Sequence, residues 1–412
     1  MDSPFDPAMG DDACHLRADG CPGKPRKGCK SARVLVDRRR FLLAGAAGLF
    51  SAADGGVQPR RAYGQQPLPR PQDAASAGNS VMVAPTDTVT TLQAKLNSVP
   101  VGGMLVFPAS STFDFNHRTL KGRSGVTILA KGRVTIDHAL GRATAGAFDF
   151  GGMSNWAIRG ALPGQGFVFN NTLINADGAN SCAVGNCIFN RQASNELNGS
   201  AIRMDNVSSM LVINNDFNGV QGTCLAQYNW DNITIDGNHF IDCFNPISVS
   251  QGADKSRGRN IKLVRNVVLG MTRSGFEMTG DGEGVEGYFS NLLIDSNWFA
   301  DISAAASTVE YGTGPVSIVA LGQVGTKITN NFFRVGPYYV APYTEAIEFA
   351  TKAAAGEISG NLIVDFTNGI TLYDLGADVR GNLLFNTGGS RAGDKVLRLR
   401  PADPPRPTRI AW

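Results

Sequence analysis

Apolar and polar residues alternate along most of the chain in short runs, and the runs repeat. Residues 232–250, NITIDGNHFIDCFNPISVS, form one unit. Ile233 and Ile235 alternate with polar residues, as a short strand requires. Asn238 marks a bend, and Phe240 opens a second apolar run. Asn245-Pro246 then turns the chain before Ile247 and Val249 alternate with Ser248 and Ser250. Three short strands joined by tight turns cannot bury their apolar sides alone. Stacked copies above and below can.

The copies are present. Apolar alternation followed by Asn-x-apolar recurs at Asn186-Cys-Ile, Asn215-Asp-Phe, Asn266-Val-Val, Asn297-Trp-Phe, Asn331-Phe-Phe, Asn361-Leu-Ile and Asn382-Leu-Leu. From Asn186 to Asn382 the seven steps average 28 residues and range from 21 to 34. A repeated period of this kind implies a solenoid whose turns take insertions while its strands do not. Stacked asparagines can hydrogen-bond along the axis as a ladder. The leucine-rich repeat has a similar period but needs a helix after its Asn, and no helical run follows here. The reading is an all-β, right-handed parallel β-helix.

Before the first unit, Val89, Leu92, Leu96 and Val99 fall at helical spacing, and Pro100 ends the run. Strand patterns follow in GGMLVFPASSTFDF and SGVTILAKGRVTI. A helix at this point would cap the open end of the solenoid, which otherwise exposes strand edges. The order of cap helix, these two strand segments and Asn-marked coils resembles the pectate-lyase-like right-handed β-helix superfamily, over about residues 86–387. That superfamily contains lyases, hydrolases, epimerases, tailspikes and adhesins, so the resemblance implies a fold more than an activity. Neither the Gly-His-Gly with paired Asp-Asp of polygalacturonases nor the Asp-Pro-His-Asp of mannuronan epimerases is present. The site must therefore come from geometry.

Composition adds boundaries. The 412 residues are 18% charged with net charge +3, and Gly is high at 49, as many turns require. So small a surplus argues against a nucleic-acid partner. Asp37-Arg38-Arg39-Arg40-Phe41-Leu42, followed by the Ala/Gly-rich apolar run 43–50, resembles a twin-arginine export signal. The run is too short to span a membrane. The resemblance implies the twin-arginine translocation machinery as a partner during export, no membrane anchor after cleavage, and a periplasmic or secreted destination. Residues 1–33 are atypical of a signal, which places the expected translation start near Val34 or Val36. The expected divisions are 1–64 extension and signal, 65–84 a Pro/Gln/Ala-rich linker, 85–388 the β-helix, and 389–412 a Pro/Arg-rich tail. Cys182, Cys187, Cys224 and Cys243 match no zinc spacing, and Cys224 is expected to point inward.

Aligning the strand after each Asn-marked bend gives AIRMD (201–205), TCLAQ (223–227), PISVS (246–250), GFEMT (275–279), PVSIV (315–319), AIEFA (346–350) and GITLY (369–373), with LINAD (173–177) before them. Alternation turns one set outward. That set contains Asn175, Asp177, Arg203, Asp205, Leu225, Gln227, Ser248, Glu277, Ser317, Val319, Glu348, Thr371 and Tyr373. The longest turns flank this face, at 251–259, 280–290, 303–314 and 334–345, as a binding wall would.

Two chemistries suit such a face, and the expected one is a polysaccharide lyase acting by β-elimination, with glycoside hydrolysis as the alternative. β-Elimination on a uronic-acid polymer needs a base and a positive group for the carboxylate. Lys255 would be the base, with Arg257 or Arg203 neutralising the uronate. Glu277 with Asp281, Glu283 and Glu286 offers hard oxygen ligands that suit Ca²⁺. Hydrolysis instead needs two carboxyl groups. Glu277 and Glu348 lie two coils apart, near the spacing of an inverting pair, and Asp177 and Asp205 lie one coil apart. Substrate contacts are expected from Asp205, Gln227, Tyr228, Trp230, Gln251, Tyr338, Tyr339 and Tyr373, because aromatic rings stack on sugar faces. The non-enzymatic alternative is a glycan-binding or surface-structural β-helix. One-sided insertions are of little use to a plain stalk.

Overall fold

The computed structural model describes residues 79–138, 146–190, 200–226, 228–249, 258–271, 274–279, 289–302, 316–336, 344–351, 356–373, 377–387, 395–399 and 409–411. These all fall within one compact unit, residues 66–412. The export-signal reading of residues 1–64 lies outside the described residues.

A two-residue device makes each coil. The first residue takes the left-handed backbone region: Asn214, Gly237, Arg265, Ser296, Asn330, Gly360 and Gly381 all have φ between 52° and 65°. This bends the chain sharply, and Asn and Gly accept the conformation at least cost. The second residue is the ladder asparagine. Asn215, Asn238, Asn266, Asn297, Asn331, Asn361 and Asn382 are at most 9% exposed. Asn266 shows the pattern. Its Nδ2 donates to Ile235 O at 3.0 Å in the coil before and to Asn297 Oδ1 at 3.0 Å in the coil after. Its Oδ1 accepts from Asn238 N at 3.0 Å and Asn238 Nδ2 at 3.1 Å. The amide is fully satisfied, so its burial carries no desolvation penalty.

Asn186 does not join this ladder. Ile188 pairs with Asp216, so Cys187 takes the ladder position and its N–H donates to Asn215 Oδ1 at 2.9 Å. Asn186 is the left-handed residue of its coil, with φ 57°. The motif match at this coil is therefore one residue out of register.

The strands stack in parallel into three columns, giving the right-handed parallel β-helix. One column, here the face sheet, runs through Ile174–Asn175, Ile202–Arg203, Thr223–Ala226, Asn245–Val249, Ser274–Thr279, Val316–Val324, Glu345–Thr351 and Asn368–Leu372. The second runs through Trp230–Asp236 and its equivalents, and the third has eleven strands from Ser111–Asp114 to Leu383–Phe385. Aromatic side chains stack inside. Phe169, Phe189, Phe217 and Phe240 follow one another at 4.8–5.0 Å between ring centroids.

The expected cap is a helix over Val89–Ser98 that buries Val89, Leu92 and Leu96. Thr88 caps its start, accepting from Thr91 N. The Arg123 guanidinium closes its end by donating to Leu96 O, Asn97 O and Val99 O. Pairing also extends beyond the expected limits of the β-helix. Ser80–Met82, within the expected linker, pairs with the strand Met104–Phe107. In the expected tail, Lys395–Leu399 pairs with the face sheet and Arg409–Ala411 with the second.

Candidate functional site

The face sheet carries one register column from coil to coil: Asn175, Arg203, Ala226, Ser248, Glu277, Val319, Glu348 and Thr371. It matches the expected outward set except at two residues. Ser317, expected outside on the coil of Val319, is fully buried, and Leu225 is the other. Leu225 was expected outside. It pairs with Ile202 and Ile247 and is fully buried, and Ala226 takes the outward position. The cause is a break in alternation that recurs in these strands. Two consecutive residues point in: Cys224 and Leu225, Ser317 and Ile318, Ala346 and Ile347 are all 0% exposed. Cys224 is inward as expected.

This break adds a second polar column that alternation alone hides. Thr223, Asn245, Ser274, Val316, Glu345 and Asn368 share one register position three residues before the first column. Asn245 Nδ2 reaches across to Glu277 Oε2 at 2.8 Å, and Ser248 Oγ reaches the same oxygen at 3.2 Å. Glu348 Oε1 accepts from the Tyr373 hydroxyl. Glu277 and Glu348 thus stand on one column with a single coil between them, where Val316 and Val319 supply only apolar side chains. Their hydrogen bonds lean the Glu277 carboxyl toward the coil before and the Glu348 carboxyl toward the coil after. Two coil rises put their backbones about 10 Å apart. Glu345 and Asn368, both buried, complete the polar rim. Asn245, Glu345 and Asn368 sit where the sequence pattern reads turn, so it gives no strand signal for them.

A separate polar chain occupies the earlier coils. Lys121 Nζ meets Asp149 Oδ2 at 2.5 Å, and Asn175 Nδ2 donates to Asp149 Oδ1 at 2.8 Å. Arg203 bridges Asp177 at 2.9 Å and Asp205 at 3.2 Å. Asp205 also accepts from Tyr228 N at 3.2 Å. Burial raises the pKa of Asp177 above the ordinary carboxylate value, only partly offset by the Asp205 N–H and Arg203. Burial pushes Asp149 the same way, but Lys121 and the Gly151 N–H outweigh it and hold that carboxyl low. With Arg203 between them, Asp177 and Asp205 form an ion-paired structural cluster, and Arg203 is already engaged by two carboxylates.

Trp230 is not a surface aromatic. It is 1% exposed and donates its indole N–H to Met204 O at 2.8 Å, so it belongs to the core. Tyr228 is half-buried beside the Asp205 cluster, and Tyr373 lies at Glu348. Gln227, Gln251, Lys255, Arg257, Asp281, Glu283, Glu286, Tyr338 and Tyr339 lie outside the described residues. Among the described residues, no group of three or more His, Cys, Asp or Glu side chains could hold a metal ion. Nor is any helix among them long and apolar enough to cross a membrane.

No protein-family model matches the chain, and no curated protein matches it. Solved structures share its fold. The Streptococcus pneumoniae surface protein and adhesin PfbA is 16% identical, with a TM-score of 0.53 over 75% of this chain and 95% of that one. A tailspike protein mutant of E. coli bacteriophage HK620, in complex with pentasaccharide, is 16% identical, with a TM-score of 0.50 over 77% and 66%. The Family 28 exopolygalacturonase of Yersinia enterocolitica is 11% identical, with a TM-score of 0.50 over 75% and 73%. At these identities the likeness is one of fold.

Proposed function

We propose that the protein hydrolyses a polysaccharide on the face sheet, with Glu277 and Glu348 as its two carboxyl groups. One observation carries this reading: the register Glu277, Val319, Glu348 sets two carboxylates on one outward column with an apolar coil between them. The hydrogen bonds to Asn245, Ser248 and Tyr373 draw the two carboxyl groups apart. In this reading both side chains turn inward over the bound sugar, to come from about 10 Å of backbone separation to the ~6.5–9.5 Å of an inverting glycosidase, which leaves room for a water. The apolar step suits the apolar face of a sugar ring. Glu277 is assigned as the base because two donors, Asn245 and Ser248, meet one of its oxygens, whereas Glu348 receives the Tyr373 hydroxyl at one oxygen and keeps its other oxygen for the proton it gives. Glu277 takes a proton from water as that water attacks the anomeric carbon, while Glu348 gives its proton to the leaving glycosidic oxygen. The pentasaccharide named with the tailspike and the exopolygalacturonase name of the Yersinia protein agree with a saccharide partner.

β-Elimination is the rival chemistry. It would need Lys255 and Arg257, because Arg203 is taken up by Asp177 and Asp205. Acidic and neutral polysaccharides, assayed for new reducing ends and for absorbance of an unsaturated product, separate the two. Reducing ends without the absorbance are expected, and an unsaturated product overturns the reading. We also propose that residues 37–50 direct export to the periplasm or beyond.

Calcium supplies a further check. Of the four acids that could hold Ca²⁺, Glu277 already directs Oε2 at two hydrogen-bond donors. Two carboxyl groups suffice for hydrolysis, so EDTA should leave turnover unchanged. A loss of turnover restored by Ca²⁺, with a raised melting temperature, would make the acidic turn a metal site.

A further inference from the structure

Among the described residues on the coils around the two glutamates, Asn245 Oδ1, Ser317 Oγ and Thr371 Oγ1 are buried without a hydrogen-bond partner. Ser317 points into the core, behind the middle coil. The other two stand on the outward columns. Asn245 is one coil before Glu277, and Thr371 is one coil after Glu348. They are 1% and 0% exposed. A buried polar atom left unpaired costs about 1–3 kcal/mol. Two such atoms, one a coil before the carboxyl pair and one a coil after it, call for an explanation.

We infer that Asn245 and Thr371 are hydroxyl-binding positions that bracket the cleavage point, so the site grips an internal stretch of a hydroxyl-rich glycan. The inference rests on the hydrolase reading above and extends it to the extent of the substrate. Four coil rises separate the two residues, a span of about 19 Å, which is several sugar rings. Asn245 has two tasks. Its Nδ2 holds Glu277, and its Oδ1 accepts a hydrogen bond from a sugar hydroxyl. Thr371 Oγ1 can donate or accept. Both side chains are at most 1% exposed, so a hydrogen bond made there is not shared with water. A saccharide chain too short to reach both ends gains at most one of these bonds.

Thr371→Val tests this cleanly, because valine keeps the shape and removes the hydroxyl. The probe is a size-graded series of oligosaccharides from the polysaccharide that the wild-type protein cleaves fastest in the panel above. The expected result is a loss of roughly five- to tenfold in kcat/KM on the long members. The shortest cleaved member should show no change, and Thr371→Ser should restore most of the loss. The melting temperature should stay level or rise, since an orphaned hydroxyl has been removed. Equal kcat/KM at every length overturns the inference, even if Glu277→Gln and Glu348→Gln are inactive. If those two variants remain active but the length-dependent loss appears, the bracket stands and the hydrolase assignment falls. If nothing in the panel is cleaved, calorimetric titration of the same polysaccharides into wild type and Thr371→Val decides. Weaker binding by the variant supports the inference, and equal or absent binding overturns it.

Discussion

Glu277→Gln and Glu348→Gln should each lower kcat by about 10²–10⁴-fold, with melting temperatures close to wild type. Glutamine keeps the shape of the side chain and can still accept from Asn245, Ser248 or Tyr373. What it loses is the ability to take or give a proton. The two variants should differ in one respect. A substrate with an activated phenolate leaving group needs little protonation, so Glu348→Gln should keep much of its rate on such a glycoside. Glu277→Gln should not, because water still needs a base. The measurement is kcat on the polysaccharide and on an aryl glycoside of the same sugar. If both variants turn over the polysaccharide normally, the glutamates are not the acid and base. If Lys255→Ala is inactive in the same assays, elimination replaces hydrolysis.

The largest expected effect on stability lies away from this face. Asn266→Leu should destabilise the fold by about 2–5 kcal/mol, because it strands more than one buried group. Asn238 N and Nδ2 lose their shared acceptor, and Ile235 O loses its donor. Asn297 Oδ1 keeps only the Asn266 backbone N–H. Leucine also lacks the amide geometry that the bend was built around. Denaturant unfolding checks this directly. An unchanged midpoint would mean that the ladder amides contribute no more than an apolar side chain does.

The fold was legible because the ladder demands one residue type at one place. A buried amide that must bond above, below and to its own neighbours leaves few alternatives to asparagine, so Asn238, Asn266 and Asn297 stand out in the sequence. The Asn186 mismatch shows the limit of that signal. The left-handed position and the ladder position are adjacent, and both favour asparagine. A coil with cysteine in the second slot therefore reads one residue early. The face was harder to read. Alternation located Glu277 and Glu348 but misplaced Leu225 and Ser317, because two successive residues point inward in these strands. For the same reason Asn245 and Glu345 looked like turn residues. Trp230 lies between the polar residues Asn229 and Asp231, a context that suggests an exposed ring. Only the backbone oxygen of Met204, one coil away, reveals a buried indole.

The parallel stacking of coils in the face sheet makes the molecule a ruler graduated in coils. Along the axis, separations come only in whole steps of about 4.8 Å, and no side-chain change can alter the count between two positions. Glu277 and Glu348 are two graduations apart. Gain of one coil between them would set the carboxyl-bearing backbones about 14 Å apart, and loss of one about 5 Å. The first is too wide for a water and a sugar to bridge, and the second is the spacing of a covalent, retaining mechanism. In a solenoid of this kind, duplication or deletion of one repeat outside the pair changes only the length of chain gripped. Between Glu277 and Glu348, deletion of a repeat would change the stereochemistry of the reaction itself, and duplication would abolish it.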